Sequence, residues 1–172
     1  MALLLFKRTA LFFAIVLSFA FLAAAARAAT HDVVPFAGYS AGTIVVKTNE
    51  RRLYYVLDGS RALRFPVGVG RTGMQWSGTA HVEGKYVRPA WAPPEVIRRD
   101  KPHLPALIPG GAPNNPMGAA ALTLRGGEYA IHGTNRPGSI GHFVSYGCIR
   151  MYNADIRTLY AMVSVGTPVV VE

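Results

Sequence analysis

Cys148 is the only cysteine in the 172 residues, and it stands in "VSYGCIRM" (144–151). His132 precedes it by sixteen positions, at the end of "YAIH" (129–132). A free thiol has a pKa of about 8.5, so only a few per cent is thiolate near neutral pH. An imidazole brought beside it can take the proton, and imidazolium or Arg150 favours the anion. Lowering the thiol pKa by one requires about 1.4 kcal/mol of preference for the anion. Gly147 permits a close backbone approach, and N–H groups around Gly147 and Cys148 could face a developing oxyanion. Together these parts outline acyl transfer through a thioester. The intervening "GTNRPGSIGH" (133–142) is loop-like and can fold back to bring strand end and cysteine together.

Each residue also has a plainer reading. Cys148 alone could be a small packed side chain, and His132 a satisfied structural histidine. Arg150 could serve a surface or structural ion pair. A zinc site built from His132, His142 and Cys148 is a rival, but the spacing lacks a CxxC or HxxxH core and a fourth ligand. His142 reads as a loop or cleft-rim residue.

The elements that must position this pair are mostly strands. "GTIVVKT" (42–48), "RRLYYVL" (51–57), "RALRFPVGVG" (61–70) and "GTAHVEGKYV" (78–87) are rich in β-branched and aromatic residues. "AALTLRGGEYAIHG" (120–133) reads as two short strands, and "GTPVVVE" (166–172) as a last one. The one convincing helix is "NADIRTLYAMV" (153–163), with Asn153 as its cap and Asp155 in its first turn. Ile156, Leu159, Tyr160 and Val163 share one face. The proline- and glycine-rich stretch 88–118 has little periodicity and reads equally as a lid or binding wall or as a structured insertion that only covers the core. The absence of βαβ alternation argues against a Rossmann-type cofactor site.

The first 28 residues have the pattern of an export signal. Lys7 and Arg8 precede an apolar run that ends in Ala26-Arg27-Ala28, a small-residue cleavage site. Cleavage after Ala28 is expected, with residues 29–40 as a short leader of little structure and 41–172 as the folded domain. An uncleaved anchor is the alternative, and no later segment is apolar enough to span a bilayer. The whole chain carries 18 Lys+Arg against 9 Asp+Glu. Scattered basic charge on an exported chain suits an anionic polymer such as a cell wall, and no aromatic-basic motif points to nucleic acid. A lone thiol in an oxidising compartment is either a dimer link or a reactive group.

The order "IHGT…S-x-GCIRM" resembles the signature of the L,D-transpeptidase family, the YkuD-like domains of bacterial cell-wall enzymes. "IVVKTNERRLYYV", "FPVGVGR", "WSGTAHV", "WAPPEVIRR", "PGGAPNNPMGAAALTL" and "VSVGTPVVV" resemble successive further segments, from about Gly42 to Val171. The resemblance implies a mainly β, sandwich-type domain with one main helix near the C-terminus. It implies a peptidoglycan stem tetrapeptide as donor, cleaved between meso-diaminopimelate and D-alanine. An amine acceptor gives a 3→3 cross-link or anchors an outer-membrane protein or lipoprotein, and the location is the periplasm. Water as acceptor gives L,D-carboxypeptidase activity, and a wall-binding module without catalysis is a further alternative. No metal or organic cofactor is implied.

Residue by residue, Cys148 matches the nucleophile and His132 the base, with Gly133 helping to hold the imidazole. Ser145 and Gly147 match the positions that shape the site. Arg150 matches the basic residue of the "GCIRM" ending. Trp91, Asn115, Met117 and Gly118 match candidate substrate contacts. Tyr146 replaces the signature histidine, and a phenol stays neutral near pH 7. It is a candidate substrate contact too. Activity is expected to rise as His132 loses its proton.

Overall fold

The structure is a computed structural model that describes residues 31–126 and 129–172. The expected export signal, 1–28, lies outside the described residues. Among the described residues no helix is long and apolar enough to cross a membrane.

Runs of β-branched residues form most strands where expected, but 61–70 divides into two strands, and short strands at 32–35, 143–145 and 149–150 were not expected. In chain order they are β1 (Asp32–Pro35), β2 (Ile44–Lys47), β3 (Arg52–Val56), β4 (Arg61–Pro66), β5 (Val69–Gly70) and β6 (Gly78–Val87). The short helix α1 (Glu95–Asp100) follows. Then come β7 (Ala120–Leu124), β8 (Ala130–His132), β9 (Phe143–Ser145), β10 (Ile149–Arg150), the main helix α2 (Asn153–Met162) and β11 (Pro168–Val171). Nine strands form one array in the order β1-β4-β3-β2-β11-β6-β7-β8-β10, and β5 pairs separately with β9. The domain is mainly β with one main helix, as the sequence implies.

Strand β6 joins two halves. Its first residues, Gly78 to His81, pair with β11, and its last, Val82 to Val87, pair with β7. A register shift between Val82 and Gly84 marks the change of partner, as bulges commonly do where a strand bends. One core fills the space between the halves. Ile44, Val46, Leu53 and Phe65 come from one side and Leu122, Leu124, Ile131 and Ile149 from the other. Ile156 and Leu159 on α2, with Val163 just beyond it, close the core on the helical face read from the sequence. Burying each such side chain stabilises the fold by about 1.5–3 kcal/mol.

Two expectations need correction. Residues 32–36 are not unstructured: β1 pairs antiparallel with β4, and Phe36 stacks on Tyr54 with ring centroids 4.4 Å apart. Val34, Phe36 and Tyr39 cover a second small cluster of Val45, Tyr54, Val56 and Ala62 on the outer face of the sheet. This is why β2 is buried on both faces. Asn153 is also not the helix cap. Tyr152 occupies that position without a side-chain capping bond, and Asn153 is the first helical residue, its amide turned to other work. Asp155 is in the first turn as expected, but buried. Burial raises its pKa and His31, 3.8 Å away, opposes that rise.

The stretch 88–118 is a structured insertion that also walls the site. Trp91 and Ile108 form an isolated antiparallel bridge across it, and α1 lies between them.

Candidate active site

Strands β8 and β10 run side by side and parallel, with Ile131 opposite Ile149 and His132 opposite Arg150. Side chains alternate across a strand, so Ile131 and Ile149 enter the core while His132 and Arg150 share the other face. Cys148 immediately precedes β10, two positions before Arg150. At ordinary strand spacing its backbone is a diagonal neighbour of His132, about 8 Å away, within side-chain reach. His132, Cys148 and Arg150 all line one cleft of about 720 Å3. The ladder is clamped on its far side, where Gly68 and Arg150 exchange backbone hydrogen bonds of 2.9 and 2.7 Å.

His132 is 4% exposed. Its Nδ1 lies 2.6 Å from the Gly133 carbonyl, and a carbonyl only accepts, so the neutral ring carries its proton on Nδ1. That leaves Nε2 as the proton acceptor. Burial lowers the imidazole pKa to about 4, with the Arg150 charge assisting and the Gly133 and Pro116 carbonyls opposing. The ring is neutral across the physiological range.

The turn before Cys148 is built by Ser145. Its hydroxyl accepts from the Gly147 N–H at 3.1 Å and donates to the Cys148 carbonyl at 2.6 Å. The Gly147 N–H is therefore engaged inside the turn, not directed at an oxyanion. Gly147 has φ +117, and any side chain there would collide with the ring of Tyr129. Tyr129 stacks on Trp76, and the Trp76 indole N–H donates to the Gly147 carbonyl at 3.0 Å. Arg150 interacts electrostatically with Cys148, burial lowers its own pKa, and its Nε is buried without a hydrogen-bond partner.

Tyr146 and Trp91 line the cleft, as does Met117. Asn115 and Gly118 do not. Asn115 is buried, its amide donating to the carbonyls of Pro89 and Pro109 at 2.9 Å while its oxygen accepts from the Met117 N–H. It organises the insertion instead of meeting the cleft. Gly118 packs against Asn153 and Thr134, where a side chain would clash. His142 is exposed and outside the cleft, so the three-residue zinc arrangement does not converge there.

The Tyr146 phenol donates to Asp100 at 2.6 Å, and Arg71 reaches the same carboxylate oxygen at 2.8 Å. The Arg71 guanidinium also stacks over the Tyr146 ring at 4.1 Å. Tyr146 and Arg71 together lower the Asp100 pKa, and Asp100 raises that of Tyr146. The residue replacing the signature histidine thus ties α1 to the strand beside the cysteine.

Sequence reasoning took Asn153 only for a helix cap and gave Trp76 no role. The Asn153 oxygen accepts from the N–H groups of Ala119 at 2.9 Å and Thr134 at 3.1 Å, and its amide donates to the Thr134 carbonyl at 2.9 Å. It stitches the chain just after His132 to the start of α2. No local pattern signals either residue, because their partners are distant backbone groups.

Residues 41–171 match the YkuD family, described as the L,D-transpeptidase catalytic domain. Among curated proteins, "Probable L,D-transpeptidase ErfK/SrfK" of Escherichia coli K12 is 44% identical over 135 residues, covering 73% of this chain and 42% of that protein. "Probable L,D-transpeptidase YbiS" of the same strain is 42% identical, covering 73% and 43%. The chain thus spans less than half the length of these relatives. An L,D-transpeptidase from Mycobacterium smegmatis has a similar fold, with TM-score 0.61 at 22% identity over 76% of this chain and 58% of that one. The catalytic domain of an Enterococcus faecium L,D-transpeptidase acylated by ertapenem gives TM-score 0.59 at 21% identity, covering 78% of this chain and 100% of that one. With the match running from residue 41 to residue 171, the chain belongs to the YkuD family of L,D-transpeptidase catalytic domains.

Proposed function

We propose that this protein is an exported cysteine acyltransferase acting on peptidoglycan stem peptides in the periplasm. The observation that carries the reading is that His132, at the end of β8, and Cys148, immediately before the adjacent β10, line one cleft. Cys148 Sγ attacks the carbonyl carbon of the meso-diaminopimelate–D-alanine bond, and His132 Nε2 takes the thiol proton. The carbon–nitrogen bond breaks, the proton passes to the leaving amine, and D-alanine departs. The thioester is then attacked by an acceptor amine, which expels Sγ and returns its proton through His132. The acceptor is a second stem peptide, for a 3→3 cross-link, or an amine of an anchored protein.

The remaining residues act by position and charge. Gly133 fixes the His132 tautomer through its carbonyl. Ser145 and Gly147 set the turn that presents Cys148, and Arg150 offsets negative charge developing at sulfur and at the attacked carbonyl. Trp91, Met117 and Tyr146 wall the bound peptide. The test is incubation with disaccharide-tetrapeptide muropeptides and mass spectrometry of the products. Cross-linked dimers are expected with the natural chain and none with Cys148→Ala. Tripeptides alone would make it a carboxypeptidase, and unchanged substrate would remove the enzyme reading.

A further inference from the structure

A second cavity of about 150 Å3 adjoins the cleft and shares Trp91, Ile97, Pro116, Tyr146 and Arg150 with it. Its charge is one-sided. Lys101 follows α1, Arg136 lies in the loop after β8, and Arg150 comes from β10, so three separate segments each bring a cation. No carboxylate lines it. Elsewhere in the fold exposed arginines are of both kinds: Arg61 pairs with Asp58, Arg64 with Asp32 and Arg71 with Asp100, whereas Arg88, Arg98 and Arg99 stand in solvent with no carboxylate partner among the described residues. Among the described residues, none of the three cavity cations pairs with a carboxylate.

Two details make this more than a solvated basic surface. The Arg150 Nε is buried and lacks a hydrogen-bond partner, a costly arrangement unless something completes it. Arg136 also acts on Arg150 as a like charge, adding to the effect of burial. An anion seated between Arg136 and Arg150 would offset their mutual repulsion, and a guanidinium fork suits a planar carboxylate. The amides of Asn114 and Asn135 add neutral donors to the lining. The volume has room for a carboxylate and a few waters, at roughly 30 Å3 each.

We infer that this second cavity is an anion subsite that seats one free carboxylate of the peptide substrate while its scissile bond lies in the cleft. The inference rests on the acyl-transfer reading for the identity of the peptide. It does not rest on it for the binding, because the cations and the cavity are there whatever Cys148 does.

The test therefore measures binding in the full chain carrying Cys148→Ala. The probes are a donor tetrapeptide and versions of it in which each carboxylate in turn is converted to an amide. Isothermal titration should show Kd weakened about tenfold for one amidated position and little changed for the others. Lys101→Ala or Arg136→Gln in the same background should weaken the free-acid peptide several-fold. Neither should weaken further the peptide that lacks the responsible carboxylate. Equal Kd for all the peptides, no measurable binding, or losses that simply add would overturn the subsite. Intact mass after ertapenem treatment of the natural chain separates the two ideas. An adduct with no carboxylate preference sinks the subsite and spares the acyltransferase. A carboxylate preference with no adduct does the reverse.

Discussion

The floor of the cleft and its wall are held together in different ways. The floor is β8 and β10, flanked by Ile131, Ile149 and Met151, all at most 2% exposed, with His132 pinned by a backbone carbonyl. The wall is the insertion at 88–118, whose helix α1 has no buried residue. It is fixed by the Trp91–Ile108 bridge, by Asn115 and by the exposed contacts among Arg71, Asp100 and Tyr146. Chemistry that needs fixed geometry sits on the dry ladder. Access is left to a segment held by solvent-facing polar contacts, which open at low free-energy cost.

The sharpest way to break this contrast is to remove a floor residue. Cys148→Ala should abolish turnover and the ertapenem adduct, and His132→Gln should cut the acylation rate by at least about a hundredfold, followed by stopped-flow or timed mass spectrometry. Neither change should disturb α1.

The next effect is on stability with pH. The folded state holds His132 neutral down to about pH 4, whereas the unfolded chain protonates it below about 6.5. Between those values the unfolded state binds the extra proton, so stability falls as pH falls through that window. The loss is roughly 3 kcal/mol by pH 4. Denaturant midpoints measured from pH 7 to 4 should decline more steeply for the natural chain than for His132→Gln. The acid limb of activity should lie well below the ordinary histidine range, as an apparent value of the Cys–His pair.

Smaller again is Asn153→Ala. It deletes three hydrogen bonds between the His132 strand end, residue 119 and α2, and should cost about 2–3 kcal/mol in urea unfolding. Its effect on acylation should exceed that of any wall substitution, because it loosens the chain beside the base. The smallest change belongs to Tyr146→Phe. Losing the phenol donor to Asp100 should speed amide hydrogen exchange in α1 a few-fold and leave global stability unmoved. Equal protection of α1 in both proteins would show that the wall is as firmly held as the floor.

Much of the floor was readable in advance. The apolar runs at 44–47, 52–56 and 120–124 form strands because their side chains fill a core from one or both faces. The spacing of His132 and Cys148 made a pair possible, and the family resemblance of "IHGT…S-x-GCIRM" named it. That 88–118 could wall a cleft was readable from its length and composition, but its internal structure was not. Six-residue α1 is too short to show a helical period, and its anchors, Asn115 and Asp100, act through contacts with distant segments. Asn153 misled for a related reason: an asparagine ahead of an apolar helix usually caps it, and here tertiary partners compete for its amide. The strand at 32–35 escaped notice because four residues ending in proline carry little strand signal until β4 offers them an edge.

That outer strand has a practical corollary. A chain trimmed to begin at residue 41 would keep every residue of the cleft yet strip the cover from Val45, Tyr54, Val56 and Ala62. It would also leave the backbone of β4 unpaired along one side. A bare sheet rim next to newly wetted apolar side chains is a template for self-association. The shortened protein should clump on concentration while its catalytic face remains intact, so solubility and chemistry are set by opposite surfaces of the same sheet system.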